Sequence, residues 1–245
     1  MCGFIITNIL RDFKNPTKIL AHRGPDDTGI FQDSSIKIIF NRLSILDLKK
    51  RSNQPFRFKN FIIVFNGEIY NYIELKRELT RLGYKFITTS DTEVLLYCYI
   101  EWGNKCLNKL EGMFGFCVYD EKKGNIFIAR DRFGIKPIFF YINDGKFIIA
   151  SEKKAIFAFG IKRKLNKVAF SDYIKSGVYQ HNENTFYENI YSLKPGTYAE
   201  IKNNKFAFYK WFELTINPSS KIQYNDAKHE LNYLFKKAIK LCLRS

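Results

Sequence analysis

The sequence has no apolar run approaching the roughly 20 residues that a membrane-spanning helix needs. Its apolar start at Phe4 is cut short by Arg11 and Asp12. It also lacks the basic residues that precede the apolar core of a secretion signal, so no membrane association is expected and the cytoplasm is the expected compartment. Cysteine is sparse: Cys2, Cys98, Cys106, Cys117 and Cys242 are odd in number and irregular in spacing, with no pair at the interval of a zinc knuckle. Only His22, His181 and His229 could add imidazole ligands, so neither a metal site nor a disulfide framework is expected. The cysteines after Cys2 read as packing residues. No glycine-rich phosphate loop of either nucleotide-binding pattern is present, and there is no internal repeat or low-complexity segment.

Acid is in deficit: 24 Asp and Glu against 40 Lys and Arg give a net charge of +16. The lysines are scattered, however, and the densest cluster, Lys162-Arg163-Lys164, has no interleaved aromatics on which bases could stack. The abundance of Lys, Asn, Ile, Phe and Tyr is what AT-rich coding produces, and nucleic acid is not expected as a partner. What is plentiful is core material. With 46% hydrophobic and 17% aromatic residues, the 245-residue chain can bury one large or two modest domains.

Taken in order, the chain reads as short strands separated by turns, with a few helices. Strands are expected over 2–7, 36–40, 61–65, 113–119, 126–129, 138–141, 147–150, 198–201 and 206–209, from β-branched and aromatic runs. Asn143-Asp144-Gly145 and Asn203-Asn204 mark hairpin turns. A loop or short helix is expected over 14–19 and a structured loop over 22–29. An amphipathic helix over 70–82 places Leu75, Leu79 and Leu82 on one face and stops at Gly83. A second helix opens at Ser90, with Glu93 at capping-box spacing. Residues 216–222 read as a linker. A last helix from about Asp226 to Leu243 gathers Leu231, Leu234, Phe235, Ala238, Leu241 and Cys242 on one face. Hairpins with helices outside them suggest a layered α+β architecture.

The second residue carries distinctive chemistry. Met1 followed by a residue as small as Cys is a good substrate for methionine removal, which would leave Cys2 with a thiol and a free α-amine. The amine titrates near about 8 and the thiol near about 8.5. The amine can therefore take up the thiol proton with no histidine partner. On its own, Cys2 would fit equally well as the start of an apolar strand.

The surrounding motifs bear on that choice. In order they are MCGF at 1–4, HRGPDDTG at 22–29, NRLSILDL at 41–48, FNGEIYNY at 65–72, SDTE at 90–93, GMFGFCVYD at 112–120, ARDRFGIKP at 129–137 and ASEKKAI at 150–156. Together they resemble the glutamine amidotransferase domain of glutamine-hydrolysing asparagine synthetase, a class II amidotransferase of the N-terminal-nucleophile hydrolase kind. The likeness runs from Met1 to about residue 215. Asn66-Gly67-Glu68-Ile69-Tyr70-Asn71 favours this branch over sister families that also start with Cys-Gly. The resemblance implies a four-layer α/β/β/α sandwich of two antiparallel sheets, with an amidotransferase domain over 2–215. Residues 216–245 would be a linker and the first helix of an asparagine-synthetase-like domain.

The implied reaction is hydrolysis of L-glutamine to glutamate and ammonia, with transfer of the ammonia to aspartate. The partner would be a synthetase domain, in cis or in trans. ATP and magnesium would belong to that domain, with no cofactor in this chain, and a homodimer is compatible with the resemblance. Two alternatives stand beside it: an acceptor that is a sugar or carboxylate of a surface-polysaccharide pathway, and a non-catalytic interaction module that keeps the fold.

Amide hydrolysis needs a nucleophile, a stabiliser of the tetrahedral oxyanion, and groups that hold the amino-acid end. By resemblance, Cys2 is the nucleophile, and the Asn66 side chain and Gly67 N–H are the oxyanion donors. Arg42 takes the α-carboxylate through a two-pronged contact, and Asp91 takes the α-ammonium. Backbone groups of Leu43, Ser44, Ile45 and Leu46, read as a strand, complete the pocket with the Glu68 side chain. Taken singly, each has a plainer reading: Arg42 as an exposed strand residue, Asp91 as a first-turn acid favoured by the helix dipole, Asn66-Gly67 as a turn. His22 has no role in such a mechanism and reads as a loop-stabilising residue.

Overall fold

A computed structural model describes residues 1–10, 17–179, 182–216 and 222–244. In chain order the elements are β1 (Gly3–Thr7), β2 (Asp27–Gln32), β3 (Lys37–Arg42), β4 (Phe56–Phe58), β5 (Phe61–Ile69), α1 (Tyr72–Arg81) and α2 (Asp91–Trp102). There follow β6 (Gly112–Asp120), β7 (Asn125–Arg130), β8 (Phe139–Asn143), β9 (Lys146–Ala150), α3 (Lys153–Phe157) and α4 (Lys167–Ser176). The chain continues through β10 (Ile190–Ser192), β11 (Thr197–Lys202), β12 (Lys205–Lys210) and α5 (Tyr224–Cys242). The strands form two antiparallel sheets, ordered β10-β8-β9-β1-β3-β2 and β12-β11-β7-β6-β5-β4.

Alternation along the strands decides the layering. Phe4 and Ile6 of β1 point between the sheets, where they meet Ile38, Phe40 and Ile149 of their own sheet and Ile62, Val64, Cys117 and Ile128 of the other. Ile5 points the opposite way, with Ile39 and Ile148, into a cluster that α3 closes with Ala155 and Ile156. The outer face of the second sheet is covered by α1 and α2, which set Leu75, Leu79, Val94 and Leu95 against Phe65, Phe116 and Phe127. Because both faces of each sheet are covered, the central strands are near-continuous apolar runs. The result is the α/β/β/α sandwich expected from the motifs.

The hairpin signals hold: Asp144 and Gly145 have φ of 48° and 71°, and Asn203 and Asn204 have φ of 50° and 60°, as two-residue turns between right-twisted strands require. Other expectations change. HRGPDDTG is a loop only as far as Asp26, since Asp27 already pairs with Arg42. Leu82 does not join Leu75 and Leu79: it follows the last turn of α1 and is 53% exposed. Ser90 caps α2 by accepting from the Thr92 N–H. Glu93 does not reach back to Ser90, whose N–H is taken by Thr88 Oγ1; its carboxylate accepts from the Ile87 and Thr88 N–H groups instead.

Helix α4 was not anticipated, although Asn166 at its start and Gly177 (φ 67°) at its end are ordinary start and stop signals. The segment expected over 14–19 lies partly outside the described residues, with a 3₁₀ turn at Lys18–Leu20. The linker expected at 216–222 lies outside them except at its ends.

Candidate active site

Strand β1 lies between β3 and β9, with Gly3 opposite Asn41, so Cys2 falls beside the end of β3. The Cys2 thiol contacts both backbone groups of Leu43, at 3.4 Å from its N and 3.5 Å from its O. The HRG motif holds the N-terminus in that place. Arg23 donates from Nε to the Cys2 carbonyl at 2.9 Å and from a terminal nitrogen to Glu152 at 2.9 Å. His22 reaches the same carboxylate at 2.9 Å, which bears out its loop-stabilising reading. A Cβ on Gly24 would lie 2.3 Å from the Asn41 backbone, so only glycine lets this loop pack on β3. Burial opposes ionisation of Glu152, but the bonds from Arg23, His22 and Lys154 outweigh it and hold its carboxyl below the ordinary range.

Next to Cys2 lies a cavity of about 260 Å³. That is slightly below the ~300–1,000 Å³ usual for larger ligands and suits a molecule of amino-acid size. Of the anticipated residues, Cys2, Arg42, Leu43, Ile45, Leu46, Asn66, Gly67, Glu68 and Asp91 line it. Ser44 does not: its N–H is spent on Asp26 Oδ2 at 2.7 Å. Nor is 43–46 a strand, because β3 ends at Arg42 and the chain turns away as a loop. Met1, Ser52, Gln54, Phe65, Ser90, Thr92, Met113 and Lys136 complete the lining without having been singled out for it. Gln54 was findable only through the fold, since it bonds the Phe65 N–H at 2.6 Å and Thr92 at 3.2 Å.

Strand β5 carries Asn66, Gly67 and Glu68 opposite Gly115, Phe114 and Met113 of β6. Asn66 is 1% exposed, and neither atom of its amide has a hydrogen-bond partner among the described residues. A Cβ on Gly67 would lie 2.2 Å from the Met113 carbonyl oxygen. Asp91, the first residue of α2, accepts from the Ile69 N–H at 3.0 Å. Burial, reinforced by Glu68 and opposed by that hydrogen bond, pushes its carboxyl up to about 7.

Arg42 is buried with its terminal nitrogens already engaged. They donate to the carbonyls of Leu46 (3.4 Å), Asp47 (2.5 Å) and Lys49 (3.3 Å), to Ser52 Oγ (2.9 Å) and to Asn53 Oδ1. The exposed-strand reading of Arg42 therefore fails, and a carboxylate would reach its prongs only by exchange with these loop groups.

Burial raises the thiol pKa of Cys2, while the Leu43 N–H, the terminal amine and Arg42 pull it down. Cys106 and Cys117 have no such counterweight, and at Cys98 burial outweighs the pull of Lys109: all three are buried, their thiols are pushed up, and they are inert packing groups. Among the described residues no group of His, Cys, Asp and Glu is arranged to hold a metal ion, and no helix is long and apolar enough to cross a membrane.

Residues 1–212 match the family described as the glutamine amidotransferase domain. The chain belongs to that family. A Methanocaldococcus jannaschii protein named for glutamine-hydrolysing asparagine synthetase is 34% identical over all of this chain and 53% of its own length. Asparagine synthetase [glutamine-hydrolyzing] 2 of Bacillus subtilis is 41% identical over 77% of this chain and 26% of its own. The chain thus spans about half or less of these relatives. Among solved structures, the glutamine phosphoribosylpyrophosphate amidotransferase of B. subtilis, with ADP and GMP bound, matches 89% of this chain and 50% of its own, at 19% identity and a TM-score of 0.61. This amidotransferase domain shares its fold, that of the N-terminal-nucleophile hydrolases.

Proposed function

We propose that this amidotransferase domain hydrolyses L-glutamine to glutamate and ammonia, using Cys2 after loss of Met1. The observation that carries the reading is Asn66, a buried amide with no hydrogen-bond partner among the described residues, in the wall of the cavity that holds the Cys2 thiol. More than nine in ten buried polar groups are satisfied, and the exceptions call for a reason. A donor kept free beside a nucleophile is what a developing oxyanion requires.

In this reading the freed α-amine of Cys2 accepts the thiol proton as sulfur attacks the side-chain carbonyl carbon. The oxyanion forms against Asn66 Nδ2 and the Gly67 N–H. Collapse breaks the C–N bond, and the ammonium returns its proton so that ammonia leaves, with a thioester remaining on sulfur. The amine then takes a proton from water as its oxygen attacks the thioester. Glutamate departs and the thiol is restored. Asp91 and Glu68 would receive the substrate's ammonium, and Arg42 its carboxylate once the Leu46–Asn53 loop yields those donors.

The names of the curated relatives support aspartate as the ammonia acceptor, through a synthetase region that would use ATP and magnesium. Leu231 (69% exposed) and Phe235 (63% exposed) of α5 support contact with such a region. The test is glutaminase activity of protein whose intact mass lacks Met1, with Cys2→Ala as its pair. Turnover in the first and none in the second, with an electrophilic glutamine analogue bound to Cys2, is the expected result. Activity in Cys2→Ala, or in protein that retains Met1, overturns it.

A further inference from the structure

Lys136 is a buried cation to which the reaction above gives no role. It is 6% exposed and lines the cavity with Cys2 and Glu68. Its ammonium makes no hydrogen bond or ion pair among the described residues. Burial lowers its pKa, and the carboxylates of Glu68 and Asp131 pull it back up and favour the charged form; the loop is built to hold it there. The Lys136 N–H donates to Asp131 Oδ2 at 2.9 Å, and its carbonyl accepts from Arg130 Nε at 2.8 Å. Arg130 is held in turn by Leu193 and Gly134. The Lys136 Cβ lies over β6 at Gly115, where an added Cβ would stand 3.7 Å from it and 3.0 Å from Ile138. Gly115 is the residue paired with Asn66.

The charged groups acting on the terminal amine and the Cys2 thiol come from several elements: Arg23 and Asp26 from the HRG loop, Arg42 from β3, Asp91 from α2 and Lys136 from the loop after β7, while Glu68 of β5 acts on Lys136 itself. Most are engaged elsewhere. Arg23 is bound to the Cys2 carbonyl and Glu152, Asp26 to Ser44, Asp91 to Ile69, and Arg42 to the loop beyond it. Lys136 is the cation left without a hydrogen-bonded partner among them.

We propose that Lys136 is a positioning residue for the amidase reaction, whose fixed charge acts through Cys2 by disfavouring the protonated α-amine and favouring the thiolate. The base would then be unprotonated at neutral pH. This rests on the glutaminase reading. In the unprocessed chain the terminal amine's pKa is lowered by burial, against a raising pull from Cys2, with Arg23 and Lys136 pushing it further down. At an effective dielectric of ~20, a unit charge about 10 Å away is worth on the order of one pH unit.

The experiment uses full-length chain with Met1 removed, as wild type, Lys136→Met and Lys136→Arg. Activity needs the neutral amine, so kcat/KM rises with pH through the amine pKa, and removing the cation moves that limb to higher pH. Lys136→Met should shift it upward by on the order of one unit, with the rate recovering at high pH, while Lys136→Arg stays near wild type. The rate of iodoacetamide alkylation of Cys2 against pH, which needs no turnover, should shift the same way. Superimposed alkylation profiles, or a pH-independent loss of activity, overturn the proposal. If wild type alkylates normally but never hydrolyses glutamine, the glutaminase reading fails while the alkylation shift still decides the role of Lys136. If Lys136→Met unfolds, judged by circular dichroism, Lys136→Gln is read by the same criteria.

Discussion

Asn66 and Arg42 line one cavity in opposite states of hydrogen bonding, one unpartnered among the described residues and the other saturated. Their variants should separate accordingly. On the proposed reading, Asn66→Ala removes a donor that acts only on the developing oxyanion, so kcat should fall about a hundred- to a thousandfold with KM little changed. Its thermal stability should hold, because no protein hydrogen bond is lost. Arg42→Lys cannot offer a two-pronged contact, and KM should rise about ten- to a hundredfold, the equivalent of ~1.5–3 kcal/mol. Unlike Asn66→Ala it should also lower Tm, because the guanidinium ties down residues 46 to 53. Steady-state kinetics and melting curves on the two variants decide this; a KM effect alone for Asn66→Ala would misplace the pocket.

Asp91 adds a pH dependence. Its folded-state pKa of about 7 lies above the ordinary carboxylate value. The folded apo protein therefore holds that proton more tightly than the unfolded chain, and its stability falls as pH rises from the carboxylate range to about 7. If Asp91 receives the substrate ammonium as proposed, the ionised form is needed, so glutamine should bind Cys2→Ala about tenfold more weakly at pH 6 than at pH 8 by calorimetry. Asp91→Asn should bind weakly at both.

At the scale of elements, the close pairing of β5 with β6 leaves no room beside Gly67. Gly67→Ala should cost on the order of 1–3 kcal/mol in unfolding free energy through the clash with the Met113 carbonyl. Activity should fall even where the protein stays folded, since the Gly67 N–H shifts. Retention of full activity would show that this N–H is not a donor to the substrate.

The same scale shows how much was legible in advance. Turn chemistry is local, so Asn143-Asp144-Gly145 and Asn203-Asn204 announced their hairpins, and the apolar runs announced strands. Nine of the anticipated residues line the cavity because motifs scattered through the chain carry them, whereas Ser52 and Gln54 lie outside every motif. Glu93 was misread because its partners, Ile87 and Thr88, come from a loop whose path is tertiary. Leu82 fell outside the buried stripe because α1 ends one residue earlier. The grip on Arg42 comes from carbonyls and small polar groups of the following loop, and no residue pattern encodes where a carbonyl points. Lys136 stood inside a quoted motif, but nothing local marks a lysine as buried.

At the scale of the whole molecule, the three apolar clusters are built from the two sheets, α1 to α3 and their connections, and α5 buries none of its residues. Its described contacts with the sandwich include Cys242 with the Tyr70 side chain and, just beyond the helix, Arg244 on Glu74 at 2.7 Å and on the Tyr70 carbonyl at 3.2 Å. A pair of that exposure is worth little, at most ~1 kcal/mol. The sandwich and the last segment can therefore be tested apart by cutting the chain after residue 215, the boundary expected from the motifs. The shortened protein should keep its melting temperature within a few degrees and its glutaminase activity. It should also aggregate less, because the exposed stripe through Leu231, Leu234 and Phe235 goes with it. Leu79→Ala is the contrast: this residue is fully buried against the second sheet, and its truncation should cost about 2–5 kcal/mol. If the cut destabilises as much as Leu79→Ala does, α5 belongs to the fold of the amidotransferase domain and the boundary lies elsewhere.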